Sequence, residues 1–589
     1  MTLCMVTNRR DFMQKMGAAG AAVGSVSIAG CSGQTGSDGN GNGNGNGEGE
    51  GVQKNVESDL PENRKIGEKV HVSNTERYYA ARYQANALVD KWFRDKLGVP
   101  VKTKPVEITV LVNREEKGDF HLVTYNWNAE NGDPDAVIYN RFHKNGSLNN
   151  YGFDNQRYNE LAAGQRRESD EDARQEMVFE AQKVLGEQRP ENQYLYNVTP
   201  YAYNSDAIDP DSIVVMDTGL ANIWNYTQME PLNENGREIV TNNWDPSDQL
   251  NPLHINGIGP SRNWTPIRFM HDFLFRPDPD LKMTPWAASD YEYVDDTTVD
   301  VTLEEGMTFH DGESFTADDV VYTFNLIMET EPPAYINNVV QTTESVEKTG
   351  ELSVRFNLTE QYAPYIALTL GQVPILPQHV WEKRITDTGN EKSPWKVPVS
   401  DDMPIIGSGP FKYGTWDQGS RFRMPAFKDH AFAAPKIDTR VQNPLSTRDA
   451  EMEAMINGDY DVLDYWFGSP RQLSDATEEE DHLSLVQSSG QGRQATWANT
   501  ERPPFDDVAF RQATNALIMS AQPTIIKELY DGFGNKAISP INPTLKFWHN
   551  PDTPYFKDGV DGAVTILNDA GYVWNEEGEI HYPEGKTGE

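Results

Sequence analysis

The chain of 589 residues carries 90 Asp and Glu residues against 51 Lys and Arg residues, so its formal net charge is −39. This excess argues against nucleic acid as a partner, because Lys and Arg must neutralise phosphates. It favours a hydrated surface suited to high salt, as in a protein from a halophilic source. The alternative is that the acidic residues serve to bind a cationic substrate. The length indicates about three or four domains, and the two cysteines, Cys4 and Cys31, exclude a disulfide framework, a cysteine zinc site and a catalytic cysteine in the body.

The first residues predict export. Arg9-Arg10, followed by the small apolar stretch Gly17–Gly30, resembles a twin-arginine export signal. The stretch is shorter than the roughly 20 residues that a helix needs to span a bilayer. It ends in Ile28–Cys31, which resembles a lipobox. Residues 1–31 are therefore predicted to be a lipoprotein signal, with Cys31 as the lipidated residue.

A tether is predicted next. Residues 32–66 begin with a run of Gly, Asn, Ser and acidic residues, which cannot bury a core and indicate a flexible linker. Nothing later in the chain has the pattern of a membrane span. We therefore expect an exported protein that a lipid holds at the cell surface, on the outer face of the cytoplasmic membrane.

The body of the chain begins near Lys69, and its first part alternates between strand and helix patterns. Apolar residues at helical spacing predict helices, and alternating apolar residues, such as Val106, Ile108, Val110 and Val112, predict strands. The predicted strands are Val70–Val72, Val106–Val112, Phe120–Tyr125 and Gln193–Val198, and the predicted helices are Tyr78–Trp92 and Met177–Leu185.

The second half continues the alternation. A strand over Thr298–Leu303 runs into the turn His310-Asp311-Gly312. Thr316 then predicts a helix N-cap, with Asp319 completing a capping box. A final short helix over Ala563–Ala570 closes at Gly571. This alternation throughout the chain favours the α/β class.

Five sequence blocks resemble those of the peptide/nickel class of ABC-transporter solute-binding proteins, called family 5. The blocks are Phe309–Gly312 with Thr316–Val321, Ile406–Phe411 with Trp416-Asp417, Asp449–Asp461, Arg502–Ala513 and Asp569–Tyr572. With the segment from Lys69 to Pro134, the resemblance covers nearly the whole body, about residues 67–589. It implies a two-lobed, periplasmic-binding-protein-like α/β fold of type II, with an extra subdomain in the larger lobe.

The order of the segments departs from the family. The continuation that the family carries after the block ending at Tyr572 stands here at residues 69–134, so the resemblance implies a circular permutation. A partial duplication would leave two copies of some block, and none is evident. In the family, the chain crosses between lobes at the stretches that match Phe120–Asn128 and Gln494–Asn499. We therefore expect lobe two to comprise residues 67–125 and 497–589, and lobe one residues 126–496.

The resemblance also implies ligand-binding residues. The position of Glu130 is that of an acid which takes the ligand's α-ammonium group in peptide-binding members; alternatively, Glu130 caps a loop or adds to the acidic surface. Trp127 and Asn128 follow the predicted crossing and join the site. Two aromatic residues, a cation and a further tryptophan complete the candidates. Tyr465 and Trp466 are the aromatic residues, and their alternative role is core packing. Arg493 could face a ligand carboxylate or form a surface ion pair. Trp497 is the further tryptophan.

These expectations describe a monomeric extracellular receptor that passes peptides to an ABC permease complex, with no cofactor and no metal. Related receptors take oligosaccharides or nickel chelates, so these ligands stay open, as does a surface sensor of the same fold without transport. An enzyme is not expected, because the chain lacks the HExxH, G-x-S-x-G, P-loop and CxxC motifs.

Overall fold

The computed structural model describes residues 52–128, 132–232, 238–243, 247–254, 264–466 and 468–588. Helices and strands alternate along these segments. The helices, numbered in chain order, are α1 (Glu76–Trp92), α2 (Ile108–Glu116), α3 (Asp135–Ile138), α4 (Gln156–Gln165), α5 (Glu171–Gln188), α6 (Ile223–Gln228), α7 (Trp264–Met270), α8 (Ala317–Thr330), α9 (Gln378–Thr388), α10 (Arg448–Ile456), α11 (Pro470–Glu479), α12 (Val508–Thr524) and α13 (Gly559–Asp569).

The strands form several sheets. In chain order they are β1 (Lys69–Asn74), β2 (Val101–Val106), β3 (Leu122–Asn128), β4 (Glu191–Asn197), β5 (Thr199–Asn204), β6 (Glu238–Thr241), β7 (Phe275–Pro277), β8 (Met283–Pro285), β9 (Ala288–Asp295), β10 (Thr298–Leu303), β11 (Thr343–Gly350), β12 (Ser353–Leu358), β13 (Trp416–Asp417), β14 (Arg421–Pro425), β15 (Thr439–Gln442), β16 (Leu483–Ser488), β17 (Gly492–Ala498), β18 (Gly534–Asn535), β19 (Val573–Trp574) and β20 (Ile580–His581).

Lobe two is built on a six-stranded sheet that joins the beginning of the described chain to its end. The strand order is β18-β4-β17-β3-β1-β2, with β1 parallel to β2 and β3, and β17 antiparallel to β3 and β4. Helices α1, α12 and α13 share one hydrophobic cluster with the sheet, and helices α3, α4 and α5 share another. Burial of apolar side chains on both faces makes this sheet the core of the lobe.

Lobe one contains smaller sheets around one large hydrophobic cluster. Strands β13, β14, β15 and β6 form a four-stranded sheet, and β16 pairs with β5. Strands β11, β12, β10 and β9 form a further antiparallel sheet, to which α8 contributes Val320 and Phe324. An extra subdomain was expected in this larger lobe, and its assignment to a particular unit stays a prediction.

A two-stranded ribbon connects the two lobes. Strand β5 pairs with β16 in lobe one, and β4 pairs with β17 in lobe two. Only Val198 separates β4 from β5, and residues 489–491 separate β16 from β17. Both crossings therefore lie side by side in one ribbon.

The position of this ribbon changes the expected lobe boundaries. One crossing was expected within Phe120–Asn128, and residues 126–197 were therefore expected to belong to lobe one, whose expected range was 126–496. In the structure β3 stays within the six-stranded sheet, and helices α3 to α5 pack against it through Val137, Tyr158 and Val184. Lobe two therefore includes the described residues up to Asn197 and those from Gly492 onward.

The strand predicted over Val106–Val112 is wrong beyond its first residue. β2 ends at Val106, and α2 begins at Ile108. Leu111 and Glu115, one helical turn apart, face inward, and Glu115 accepts a hydrogen bond from Arg141 at 2.9 Å. Tertiary packing of this face therefore decides the helix, and the β-branched residues that suggested a strand are left exposed.

Two of the family-like blocks meet at His310. Its Nδ1 accepts the Gly407 N–H at 3.2 Å, so its Nε2 donates to the Gly409 carbonyl at 2.9 Å. The expected capping box is present, since the Thr316 N–H donates to Asp319 at 3.0 Å. The turn before α8 is thus tied to the Gly-rich segment that precedes β13.

The buried His310 predicts an acid-sensitive contribution to stability. Burial lowers the pKa of His310 to about 3 from the ordinary value of 6.5. Between these two pH values the unfolded chain binds a proton that the folded chain does not, so the free energy of unfolding decreases as the pH falls below 6.5. His310→Gln keeps a donor for Gly409 but cannot titrate, so we expect its stability to fall less, by about 1 kcal/mol or more between neutral pH and roughly pH 4. Urea unfolding across this range measures both slopes, and equal slopes would contradict the assignment.

Candidate functional site

The end of β3 marks the junction of the two lobes. Trp127 lies opposite Arg493, and Asn128 lies opposite Gly492, the first residue of β17 after the ribbon crosses into lobe two. The loop that follows β3 therefore starts where the lobes meet. Glu130 in this loop lies outside the described residues, as do the side chains of Trp127 and Asn128; Cys31 also lies outside them.

The residues after this loop are held by buried contacts. Asp133 accepts two hydrogen bonds from Arg174, both at 2.8 Å, and both side chains are buried. Burial acts to lower the pKa of Arg174, but the charge of Asp133, its hydrogen bonds and the nearby Asp135 together outweigh this effect, so the pKa is raised. Gly132 has φ +75°, and a Cβ there would lie 2.5 Å from the carbonyl oxygen of Leu281 in lobe one. Only glycine fits this close approach between the lobes.

Further contacts join the lobes along the same rim. The Ala363 N–H of lobe one donates to the Arg166 carbonyl of lobe two at 2.7 Å. The Arg166 guanidinium lies 4.9 Å from the ring centroid of Tyr362, whose hydroxyl is 3.5 Å from Asp135. Burial raises the pKa of Asp135, although Arg166 opposes this shift. The loop after β3 thus continues directly into the contact surface between the lobes.

Tyr465 lies in lobe one, where Asn242 and Thr265 hold it. Its backbone exchanges two hydrogen bonds with the side chain of Asn242, at 2.7 and 3.2 Å. Its hydroxyl is 2.6 Å from the hydroxyl of Thr265. Burial raises the pKa of Tyr465 to about 12, so the phenol is neutral and acts as a hydrogen-bonding group. The residue as a whole is only partly buried, which leaves area for a ligand contact.

Trp466 is placed differently from its neighbour. It is only 5% exposed and packs in a hydrophobic cluster with Met455, Leu463 and Leu473. Its indole N–H donates to the Ser469 carbonyl at 3.0 Å. The core packing that was the alternative for this residue is what the structure shows.

Arg493 and Trp497 also face the interior of lobe two. Arg493 is fully buried and makes a bidentate pair with Glu191, at 2.5 and 2.8 Å. Trp497 is fully buried as well, with the Arg141 guanidinium 4.3 Å from its ring centroid. The expected ion pair of Arg493 exists, but it is internal instead of lying at the surface. Neither side chain is open to a ligand in this structure.

The structure therefore brings together the end of β3, the start of β17 and the rim contacts, while Tyr465 stands on lobe one. Sequence reasoning missed Asn242 and Thr265, which hold Tyr465, and Arg174, which holds Asp133. These partners lie far away along the chain, and no local pattern signals them. Among the described residues, no group of three or more His, Cys, Asp or Glu side chains is arranged to hold a metal ion. Within the same residues, no helix combines the length and apolarity required to cross a bilayer.

Residues 282–587 match the family model of the bacterial extracellular solute-binding proteins, family 5, middle region. The match covers just over half of the chain. The chain belongs to this family. The two-lobed α/β fold expected from the sequence is confirmed by this membership together with the two sheet-centred lobes, and the family is one of extracellular receptors for solutes.

Individual relatives carry names that refer to peptides. The chain is 27% identical over 314 residues to the oligopeptide-binding protein AppA of Bacillus subtilis, covering 51% of this chain and 54% of the relative. It is 25% identical over 309 residues to the dipeptide-binding protein of Escherichia coli, covering 49% and 55%. The chain thus spans about half the length of the curated relatives that it matches.

Solved structures of similar proteins include a periplasmic oligopeptide-binding protein of Thermotoga maritima. The TM-score is 0.45 at 19% identity, with 59% of this chain and 66% of that chain covered. For DppA of Helicobacter pylori in complex with the peptide STSA, the TM-score is 0.43 at 18% identity, with coverages of 57% and 66%.

The burial of Arg493 predicts that it serves stability. Glu191→Gln leaves a buried guanidinium without its anion, and we expect a loss of about 3–5 kcal/mol in the free energy of unfolding. The double variant Glu191→Gln/Arg493→Met removes the uncompensated charge and should recover much of this loss. Urea unfolding measures both. A ligand-contacting Arg493 would behave oppositely: Arg493→Met would weaken ligand binding while leaving stability unchanged.

Proposed function

We propose that this protein is a receptor that binds peptides between its two lobes and delivers them to an ABC importer. The observation that carries the proposal is the ribbon of β4–β5 and β16–β17. Within the described residues it alone carries the chain between two bodies, each of which has a large hydrophobic cluster of its own. A short two-stranded connection lets two rigid bodies move by hinge bending, and binding between closing lobes follows from this arrangement.

The choice of peptides as ligands rests on the loop after β3 and on the names of the relatives. Glu130 lies in this loop, between Asn128 at the lobe junction and the clamped Gly132. A carboxylate at this point would pair with the α-ammonium group of a peptide through a charge-assisted hydrogen bond. Tyr465 on the opposite lobe would add a partly open aromatic surface. The relatives AppA of Bacillus subtilis and the Escherichia coli protein are named as binding oligopeptides and dipeptides.

The place of attachment to the membrane is part of the proposal. Lipid on Cys31 and the tether that follows would hold the protein at the outer face of the membrane. Residues 52–66, which were expected to belong to the flexible tether, instead pack along lobe two. The Asn55 N–H donates to Asn568 at 3.0 Å, the Glu57 N–H donates to Trp574 at 2.9 Å, and Ile66 is buried. The tether would therefore reach the body at lobe two and leave lobe one free to move. The net charge of −39 would keep such a surface hydrated at high salt.

The circular permutation also remains a proposal, and the ends of the body support it. The Tyr582 N–H donates to the Arg64 carbonyl at 2.7 Å, and the Ile66 N–H donates to the Ile580 carbonyl at 3.1 Å. The last strand therefore lies beside the residues that lead into β1. Closing the chain there would restore the family order, in which the helix ending at Tyr572 is followed by the β1 segment. Alignments that cover about half of each relative fit this change of order.

The role of Glu130 predicts a preference for peptides with a free amino terminus. Calorimetry with a peptide and its N-acetylated form should show that acetylation weakens binding to the natural protein. In Glu130→Gln we expect binding of the free peptide to weaken about tenfold or more, because one charge-assisted hydrogen bond is lost, and the preference for the free form to disappear.

The matched control is Glu116→Gln, which neutralises an exposed acid of α2 in the same lobe. It should leave both affinities unchanged. An undiminished preference for the free amino terminus in Glu130→Gln would remove Glu130 from the site. Saturable binding of an oligosaccharide or a nickel chelate, with no binding of any peptide, would overturn the peptide proposal itself.

The permutation predicts that the family order can be rebuilt. A gene that joins Lys586 to Val52 by a flexible linker, so that the packed residues 52–66 are kept, and opens the chain between Leu232 and Glu238 should give a folded protein. We expect its midpoint of thermal unfolding to lie within about 5 °C of that of the natural chain, with the same peptide affinity. A control chain that is joined in the same way but opened inside α8 should not fold. If the restored order also failed to fold, the proposed permutation would be contradicted.

A further inference from the structure

A cavity of about 420 Å³ opens on lobe one, and no role assigned above uses it. It lies between α6, the strands β8 and β9, and the loop around Phe432, with Glu304 at its edge. A volume of this size suits a small organic molecule. The lining contains three aromatic rings and one ionisable side chain, and this combination restricts what the cavity can hold.

The aromatic rings form a floor and two walls. Trp286 is 5% exposed, and both Trp224 and Phe432 meet it nearly at right angles, each with its ring centroid 5.2 Å away. Phe432 is 44% exposed, and its ring also meets that of His430, with the centroids 4.8 Å apart. Trp224 and Phe432, which are partly exposed, therefore offer the accessible aromatic surface, and both rings contact the buried Trp286.

Buried hydrogen bonds hold this aromatic frame in place. Asp272 accepts the indole N–H of Trp286 at 2.7 Å and lies 3.3 Å from Nε2 of His430. Nδ1 of His430 accepts the Ala433 N–H at 3.0 Å, so the same aspartate fixes the floor and the loop that carries Phe432. The indole N–H of Trp224 donates to the Pro277 carbonyl at 2.9 Å. The cavity walls are therefore preorganised.

The polar groups of the lining favour a positively charged guest. Glu304 is half-buried, and its carboxylate makes no ion pair or hydrogen bond with any described residue. Its backbone N–H donates to the Ala287 carbonyl at 2.9 Å. The hydroxyl of Ser289 donates to the Leu303 carbonyl at 3.2 Å, and that of Thr227 donates to the Ile223 carbonyl at 2.9 Å. Both hydroxyl oxygens can then only accept toward the cavity. The exposed amide of Gln228, which also lines the cavity, can accept through its oxygen or donate through its nitrogen.

We propose that this cavity is a second binding site, specific for a small organic ammonium ion, formed by Trp224, Phe432 and Glu304. Aromatic faces attract ammonium groups through the ring quadrupole, and alkyl groups on the nitrogen pack on the same faces. The carboxylate supplies the opposite charge. A neutral molecule of the same shape would gain only the apolar contact, and a simple metal cation would lack it.

This site lies apart from the proposed peptide site. All of its lining residues belong to lobe one, and α6 separates it from Tyr465: Trp224 and Thr227 line the cavity, whereas Tyr226 donates to Asp464, the residue before Tyr465, at 2.9 Å. Binding here does not require closure of the lobes. The two sites can therefore be tested independently, and failure of one leaves the other standing.

Calorimetry with choline tests the proposal, and 3,3-dimethylbutan-1-ol, its neutral isostere, is the matched ligand control. We expect saturable choline binding with one site per chain, and binding of the isostere at least about tenfold weaker. Glu304→Gln and Phe432→Leu should each weaken choline binding by about tenfold while leaving peptide binding unchanged. Both positions are partly open to solvent, so these variants should fold normally.

The variant controls are Glu305→Gln, the neighbouring acid that does not line the cavity, and Phe547→Leu, an exposed phenylalanine of lobe two. Neither should affect choline binding. Equal binding of choline and its neutral isostere would show an apolar pocket without charge recognition and would overturn the proposal. Absence of saturable choline binding up to about 10 mM, or choline affinity unchanged in Glu304→Gln, would overturn it as well.

Discussion

The backbone pairing between β3 and β17 is the interaction on which the rest of the structure depends. The two strands are paired along their full length, from Leu122 opposite Ala498 to Asn128 opposite Gly492. One strand comes from the first part of the body and the other from the last part, so the six-stranded sheet cannot form until both have been made. Closing so long a loop costs entropy, and the apolar clusters on both faces of the sheet offset that cost.

The same pairing sets the position of the proposed ligand site. Because β17 continues from β16 of lobe one and β3 ends opposite its first residue, the loop after β3 is delivered to the lobe junction. The buried pair of Asp133 and Arg174 and the close approach of Gly132 to Leu281 then fix the far side of that loop. These contacts would give the proposed binding loop a rigid frame, and the short ribbon would let the lobes hinge.

Local signals in the sequence were sufficient for much of the fold, and distant partners explain where they failed. The cap at Thr316 and the helix around Val184 follow from short-range rules. The segment at Val110 has the alternation of a strand, but Leu111 and Glu115 find partners across the lobe and select a helix. The family resemblance indicated candidate ligand-binding residues such as Arg493. It could not reveal that Arg493 pairs with Glu191, which lies on a strand far away in the chain. Trp466 was ambiguous for the same reason, since aromatic residues serve cores and clefts alike.

Hydrogen exchange of the backbone amides in β3 and β17 tests the central claim most directly. If the first and last parts of the body form one lobe, the amides of both strands should share a single free energy of opening, close to that of global unfolding of lobe two. The amides of β5 and β16, in lobe one, provide the internal comparison. Fast exchange in β3 while β17 stays protected would show that the two segments do not share a sheet, and would contradict the account.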